Sequence, residues 1–226
     1  TAGLHVAVIA AGISAGDLVI TSPFSFVASA NCMLFERAVP VFVDVDPLTG
    51  NIDPDQVREA TAALMKGGSA ADLWLPPLLR GQRMTGRLKT ILPIHAFGQP
   101  ADMYPIMETA QEHGLTVIED ACEALGAEYC GQPAGSLGDA AVFAFYPNKQ
   151  ITTGEGGMVV TPHHEWDLLF RSLRNQGRDL FDAWLRHSRL GFNYRLDEMS
   201  AALGRAQLGR LDTILATRER VAGWYD

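Results

Sequence analysis

The chain has 226 residues, 47% of them hydrophobic, and a formal net charge of −8 at pH 7. This length and apolar content suffice to bury a core and predict one large soluble domain. The negative charge, without a dense basic cluster, argues against nucleic acid as the main partner. No apolar stretch approaches the length of a membrane span and no secretory signal pattern opens the chain, so we expect a cytoplasmic protein.

Short apolar strands alternate with helical patterns along most of the chain. The predicted strands are residues 17–21, 39–45, 90–95, 116–120, 139–145 and 157–161. The predicted helices are residues 1–12, 28–37, 53–65, 103–113 and 208–226. This alternation is typical of an α/β fold in which a mainly parallel sheet lies between helices in three α/β/α layers. Ligands of such folds bind beyond the carboxyl ends of the strands, where we expect Asp120, His95 and the turn at 22–26.

Both ends of the sequence fall inside predicted helices. The first helix is under way at residue 1 and stops at Gly12, and the amphipathic pattern of 208–226 is cut short. We therefore expect a fragment that lacks material at both termini. Residues 66–87 are rich in Gly, Pro, Arg and Leu and show neither the helical nor the strand period, which predicts a surface insertion.

Lys149 lies in a polar, glycine-rich turn between two apolar strands, within the sequence FAFYPNKQITTGEGG at 143–157. The chain has only two other lysines, Lys66 and Lys89, and takes nearly all its positive charge from arginine. A lysine amine can form a Schiff base and an arginine guanidinium cannot. The turn therefore suggests a reactive amine; the alternative is an exposed lysine on a turn.

Asp120 ends the predicted strand 116–120 and is a candidate partner for that amine. Enzymes that use pyridoxal phosphate (PLP) need a lysine to hold the aldehyde and an acid to keep the pyridine nitrogen protonated. The alternatives for Asp120 are a solvated carboxylate at a strand end or a helix N-cap. We expect the neighbouring Glu119, and His95 near the same edge, to be structural.

The cysteines and the remaining histidines show no metal-ligand spacing. Cys32, Cys122 and Cys130 are odd in number, so free buried thiols are expected rather than disulfides or a zinc site. The histidines other than His95, including the adjacent His163 and His164, are expected on the surface. We therefore predict no metal site.

Several long motifs resemble those of the DegT-like nucleotide-sugar aminotransferases, which are PLP-dependent enzymes of fold type I. The motifs are Thr1-Ala2 before a helix, SPFSFVA at 22–28, VFVDVD at 41–46, IEDACEA at 118–124, the Lys149 turn, and GFNYRL at 191–196. They are long, ordered and correctly spaced across the whole chain. The resemblance implies that residues 1–226 are the large PLP-binding domain, without the family's N-terminal segment and small C-terminal domain.

The resemblance also implies roles at the cofactor. Lys149 would anchor the cofactor and act as the general base, and Asp120 would pair with the pyridine nitrogen. Thr1 and Ala2 would bind the cofactor phosphate at the start of the first helix, where free N–H groups and the helix dipole favour an anion. The alternative for Thr1 is a helix cap.

Aromatic and amide side chains complete the implied site. Phe26 would lie across the cofactor ring, with Phe24 as the competing candidate and a core role as the alternative. Asn193 would reach the cofactor phosphate of a neighbouring subunit, so that a homodimer shares its active sites; a turn asparagine is the alternative. Tyr146 and Tyr194 would line the sugar pocket, unless they are ordinary buried tyrosines.

Two positions depart from the family pattern. Glu123 stands where the family often has a glutamine that touches the phenolic oxygen of the cofactor, and a surface position on a helix is the alternative. Ala144 stands where many members have a phosphate-binding serine, so one phosphate contact is expected to be missing or replaced.

The implied reaction is a ping-pong transamination from an amino acid, L-glutamate above all, to a nucleotide-linked keto-sugar, for amino-sugar, polysaccharide or antibiotic biosynthesis. A related branch that dehydrates sugars has histidine in place of the lysine, and Lys149 argues against it. The alternatives are a non-catalytic PLP-binding regulatory module, which would be expected to lack the lysine or its acid partner, and a fold-type-I enzyme that acts on amino acids.

Overall fold

The computed structural model describes residues 1–82, 86–179 and 186–225. Its main strands are β1 (Leu18–Thr21), β2 (Val39–Phe42), β3 (Leu88–Leu92), β4 (Thr116–Asp120), β7 (Ala140–Ala144) and β8 (Gly157–Val160). A small hairpin is formed by β5 (Glu128–Tyr129) and β6 (Gln132–Pro133). The helices are α1 (Ala2–Ala10), α2 (Ala28–Leu34), α3 (Pro54–Lys66), α4 (Ser69–Asp72), α5 (Met103–His113), α6 (His164–Leu173), α7 (Glu198–Leu208) and α8 (Leu211–Ala222).

The six main strands form one sheet in the order β2-β1-β3-β4-β7-β8 within the described residues. All neighbouring pairs are parallel except β7 and β8, which are antiparallel. The prediction of a mainly parallel sheet is confirmed. Because the parallel strands share one direction, their carboxyl ends meet along a single edge of the sheet.

Helices cover both faces of this sheet. On one face, Leu4 of α1, Cys32 of α2 and Phe170 of α6 pack into one buried cluster. On the other face, Val57 of α3 and Ile106 of α5 belong to a second cluster. The strands supply both clusters because successive side chains point to opposite faces of a sheet. The result is the predicted three-layer arrangement.

Local signals explain several helix boundaries. The carboxylate of Asp53 accepts hydrogen bonds from two backbone N–H groups in the first turn of α3. Pro54, the first helical residue, has no N–H group that would need an acceptor. Gly114, in the left-handed conformation, ends α5. Gly12, with φ of 67°, follows α1 where the sequence predicts a stop.

Two segments differ in detail from the sequence prediction. Within 66–87, the helix α4 and a 3₁₀ turn at Pro77–Leu79 form, and Leu75 is buried in the core; residues 83–85 lie outside the described part of the chain. The predicted helix over 208–226 is confirmed as α8, Leu211–Ala222, whereas α7, which ends at Leu208, is not predicted. Asp226 is also outside the described residues.

Candidate active site

The Lys149 turn lies at the carboxyl edge of the sheet. It leaves the end of β7 and returns as the antiparallel β8. Main-chain hydrogen bonds of 2.9 Å close its base, from Phe145 N to Gly156 O and from Thr153 N to Phe145 O. The turn is therefore a fixed loop above the strand ends.

The side chain of Lys149 points inward and is only 16% exposed. Its Nζ lies 3.0 Å from Oε1 of Glu123, and its backbone N–H donates to Tyr146 O at 3.0 Å. Its own carbonyl oxygen accepts a hydrogen bond of 2.9 Å from Arg218 of α8. Lys149 is thus not an exposed turn lysine.

Glu123 is held by contacts on both sides. Its Oε2 accepts a hydrogen bond of 3.0 Å from Phe97 N, while Oε1 faces Lys149. Its carbonyl oxygen accepts a hydrogen bond from the side chain of Gln150. Glu123 lies among turns and not on a helix, so the alternative of a helix-surface position does not hold.

Asp120 is 5% exposed and points to the other side of β4 from Glu119. Its Oδ2 accepts a hydrogen bond of 2.6 Å from Ser29 Oγ, and its Oδ1 accepts one of 3.2 Å from Cys122 N. The burial excludes a solvated carboxylate, and the residues that follow form turns in place of a capped helix.

The charge of Asp120 contributes to the pKa values of two thiols, those of Cys32 and Cys122. Burial, with a smaller contribution from the Asp120 charge, raises the pKa of Cys32 to about 12. The same two causes, in the same order, raise the pKa of Cys122. The prediction of buried thiols is wrong for Cys130, which is exposed and lies in a turn.

Glu119 and His95 form a fully buried pair, with 2.9 Å between His95 Nε2 and Glu119 Oε2. Glu119 also accepts hydrogen bonds from the N–H groups of Gly135, Leu137 and Gly138. Burial alone would raise the pKa of Glu119, but the His95 hydrogen bond and these N–H donors outweigh it and lower the pKa. Both residues are embedded in the protein and are not open to a ligand.

The first turn of α1 packs beside Asp120. A Cβ on Gly3 would lie 2.7 Å from Val142 Cγ1, and Val142 is the register partner of Asp120 across β4 and β7. Thr1 and Ala2 are exposed, and the Thr1 side chain makes no capping hydrogen bond. The first N–H groups of a helix have no partner within it, so this end can receive an anion.

Exposed aromatic side chains line the same edge. Phe26, two residues before the start of α2, is 78% exposed, and Phe24 is 46% exposed. The ring of Phe24 contacts that of Phe97 edge-on, with centroids 5.6 Å apart. The exposure of Phe26 argues against the alternative of a core residue.

The segment around Asn193 packs beside α1. Asn193 is exposed and forms an isolated antiparallel bridge with Asn175. Tyr194 contacts His5, with 3.2 Å between its hydroxyl and His5 Nδ1. The expectation of surface histidines is wrong for His5, which is 3% exposed and enclosed by Phe192, Tyr194 and Glu36. Tyr146 is half exposed, on the Lys149 turn itself.

Three contacts of this site involve residues that the sequence analysis does not identify. Ser29 contacts Asp120, Phe97 contacts Glu123, and Arg218 contacts Lys149. Ser29 could have been predicted, because its hydroxyl lies in the buried first turn of a helix that follows a strand. Arg218 could not have been predicted, because it is one of two arginines on the exposed helix α8.

No group of three or more His, Cys, Asp or Glu side chains in the described ranges is placed to hold a metal ion. None of the helices described is both long enough and apolar enough to cross a membrane.

The fold is that of the large domain of fold-type-I PLP-dependent transferases. The sequence model of the DegT/DnrJ/EryC1/StrS aminotransferase family matches residues 1–226. The chain belongs to this family.

Curated relatives and solved structures agree with this assignment. The chain is 44% identical over 226 residues to the GDP-perosamine synthase of Caulobacter vibrioides, covering 100% of this chain and 54% of that protein. It is 42% identical over 228 residues to the UDP-N-acetyl-3-dehydro-alpha-D-glucosamine 3-aminotransferase of Acidithiobacillus ferrooxidans, again covering 100% and 54%.

A crystal structure of a DegT DnrJ EryC1 StrS aminotransferase from Brucella abortus matches with a TM-score of 0.86 and 31% identity. The match covers 99% of this chain and 56% of that one. The chain therefore spans about half the length of the relatives that it matches.

Proposed function

We propose that the full-length protein is a PLP-dependent aminotransferase that moves an amino group from an amino acid, L-glutamate, to a nucleotide-linked keto-sugar. The observation that carries this proposal is the inward-pointing amine of Lys149 at the same sheet edge as the buried carboxylate of Asp120. Family membership supports it, as do the sugar-nucleotide activities named for the two curated relatives.

The residues present suit PLP in three respects. Lys149 offers a primary amine, Asp120 offers a buried carboxylate for the pyridine nitrogen, and the start of α1 offers N–H groups for the phosphate at Thr1 and Ala2. When bound, PLP withdraws electrons from the carbon that bears the amino group. We assign Phe26 to the face of the cofactor ring.

Lys149 is the residue that we propose moves the proton at that carbon. Its side chain is 16% exposed, and the carboxylate of Glu123, 3.0 Å from Nζ, balances the charge of the protonated amine. We propose that Glu123 holds the amine in place and contacts the phenolic oxygen of the cofactor. Tyr146, on the same turn, and Tyr194 are our candidates for the sugar pocket.

We further propose a cytoplasmic homodimer with shared active sites. Asn193 is exposed and free to reach a second subunit. No residue of α7 or α8 is buried within the described structure, and apolar side chains such as Met199 of α7 and Trp224, just after α8, lie exposed. Exposed apolar surface of this kind marks interfaces with other chains or domains. The cysteines are free thiols, as reducing compartments favour.

The test is transfer of nitrogen from ¹⁵N-labelled L-glutamate to a panel of GDP- and UDP-linked keto-sugars by the purified full-length protein with PLP. The expected result is a labelled amino-sugar nucleotide in the mass spectrum. Lys149→Ala should abolish it, whereas Lys66→Ala, at the exposed end of α3, should not. Absence of label in every sugar, in folded protein that also shows no visible cofactor band, would overturn the proposal.

A further inference from the structure

Phe97 has a left-handed backbone conformation, with φ of 54° and ψ of 19°. Bulky residues rarely adopt this region, and such strain persists only where the surroundings enforce it. The Phe97 ring is 81% exposed, so burial of the ring does not enforce the conformation. Its backbone N–H is the group that donates to Glu123 Oε2.

Buried polar side chains hold the turn that contains Phe97. Asn51, 3% exposed, accepts a hydrogen bond of 2.9 Å from Ala96 N and donates to the carbonyl oxygens of Gln99 and Pro100 at 3.0 and 3.2 Å. The turn is thus fixed on both sides of Phe97 from beneath.

His95 ties the same turn to the sheet. Its Nδ1 accepts a hydrogen bond of 3.1 Å from Ala101 N, so the proton of the ring lies on Nε2 and is donated to Glu119. Glu119 is in turn fixed by three backbone N–H groups. A polar network in which every member is satisfied is rigid and permits one arrangement.

Glu123 needs this support because its side chain is 41% exposed. A carboxylate at that exposure is free to rotate into water unless it is held. Phe97 N–H holds one oxygen, which leaves the other oxygen 3.0 Å from the Lys149 amine.

We propose that Asn51, His95 and Glu119 are positioning residues for Lys149: they fix the strained turn at Phe97, whose N–H orients Glu123, and Glu123 sets the position of the amine. The proposal deepens the proposed function and rests on it for the role of Lys149. The three residues act through Glu123 and touch neither substrate nor cofactor.

The test measures how fast an acylating reagent labels the Lys149 amine in cofactor-free full-length protein, read by peptide mass spectrometry. The chain supplies two internal references. Lys66 is exposed and reports the reagent, and Lys89, paired with Asp17 at 2.8 Å, reports global unfolding. Glu123→Gln should speed labelling of Lys149 about threefold relative to Lys66, the scale of losing a partly exposed ion pair.

The decisive comparison is a double-mutant cycle. Asn51→Ala and His95→Gln should each speed labelling of Lys149 as Glu123→Gln does, and should add nothing in the Glu123→Gln background. His163→Gln, which breaks a His–Asp pair at the start of β7, is the matched control and should leave Lys149 labelling unchanged. Two positions are used so that one misfolded variant, revealed by fast Lys89 labelling, leaves the other to decide.

Unchanged Lys149 labelling in folded Asn51→Ala or His95→Gln protein would overturn the proposal. Additive effects in the Glu123→Gln background would also overturn it, because they would show a route that does not pass through Glu123. The labelling needs neither cofactor nor turnover. A protein that shows the predicted cycle but transfers no nitrogen would therefore refute the aminotransferase and not the positioning network.

Discussion

Arg218 donates a hydrogen bond of 2.9 Å to the backbone carbonyl oxygen of Lys149. This contact joins α8 to the loop that carries the candidate reactive amine. A second contact from α7 runs the same way, since Gln207 Oε1 accepts from Thr152 N at 3.4 Å. The two C-terminal helices thus brace the Lys149 turn, although neither buries a residue of its own.

Arg218→Ala should loosen that turn. A charged donor to a carbonyl oxygen contributes about 1.5–3 kcal/mol when protected and less when exposed, as here. We expect faster hydrogen exchange at the amides of residues 149–153 and cofactor affinity reduced by about threefold to tenfold. Arg220→Ala, exposed on the same helix, is the control. Equal exchange in the two variants would show that α8 does not brace the turn.

Ser29→Ala should weaken the site through Asp120. It removes the 2.6 Å hydrogen bond to Oδ2 of a carboxylate that is only 5% exposed. Losing such a partner costs about 1–3 kcal/mol, because the charge stays buried. We expect that drop in the free energy of urea unfolding, together with weaker cofactor binding by fluorescence titration.

Ser25→Ala is the matched control for Ser29. The Ser25 hydroxyl lies 2.8 Å from Ser29 Oγ and the residue is exposed, so the Ser29 contact with Asp120 survives its removal. Its effect should be small. Equal losses in the two variants would assign the role to the hydroxyl pair and not to the contact with Asp120.

Asp17 should make the protein sensitive to acid. Burial acts to raise its pKa, but Lys89 and hydrogen bonds from Arg87 and Ser14 outweigh burial and lower the pKa from 3.8 to about 2. A lowered pKa stabilises the fold above the unfolded-state value and loses that stabilisation as the pH falls through the folded-state value. This pKa shift contributes about 2 kcal/mol to the free energy of unfolding at neutral pH.

Asp17→Asn should therefore reduce the free energy of unfolding by about 2 kcal/mol at neutral pH, and the gap to the wild type should shrink between about pH 4 and about pH 2. Urea unfolding across this range measures it. Asp212→Asn, on an exposed position of α8, should give no such gap. A gap independent of pH would mean that the lost stability does not come from ionised Asp17.

The three thiols should differ in reactivity. Cys130 is exposed, whereas Cys32 is buried and burial raises its pKa to about 12. Because the thiolate is the reactive form, a maleimide should label Cys130 first and reach Cys32 only after unfolding. Peptide mass spectrometry resolves the sites. Early labelling of Cys32 in folded protein would contradict the packing of α2 against the sheet.

Much of the fold follows from local pattern, and the site follows only in outline. Alternating apolar runs and helical periods predict the parallel sheet, because each strand and helix is specified within its own segment. Lys149 and Asp120 can be predicted as site residues because Asp120 ends a predicted strand and Lys149 lies in a polar turn between two predicted strands.

Contacts between residues that are far apart in the sequence cannot be predicted from these local patterns. Ser29 and Asp120 are 91 residues apart, and Phe97 and Glu123 are 26 apart. Their pairing depends on the order of strands and on the left-handed turn at Phe97. Phenylalanine rarely adopts this conformation, so the sequence does not predict the turn. The last predicted helix begins at residue 208, so α7, which ends there, is not predicted.

Borohydride reduction of the full-length protein incubated with PLP, followed by peptide mapping, shows directly whether Lys149 forms a Schiff base with the cofactor. We predict that the reduced cofactor is attached to Lys149, that Lys66 and Lys89 stay unmodified, and that Lys149→Ala protein carries no reduced cofactor. A folded protein in which Lys149 stays unmodified, or in which the three lysines of this chain are modified alike, would contradict it.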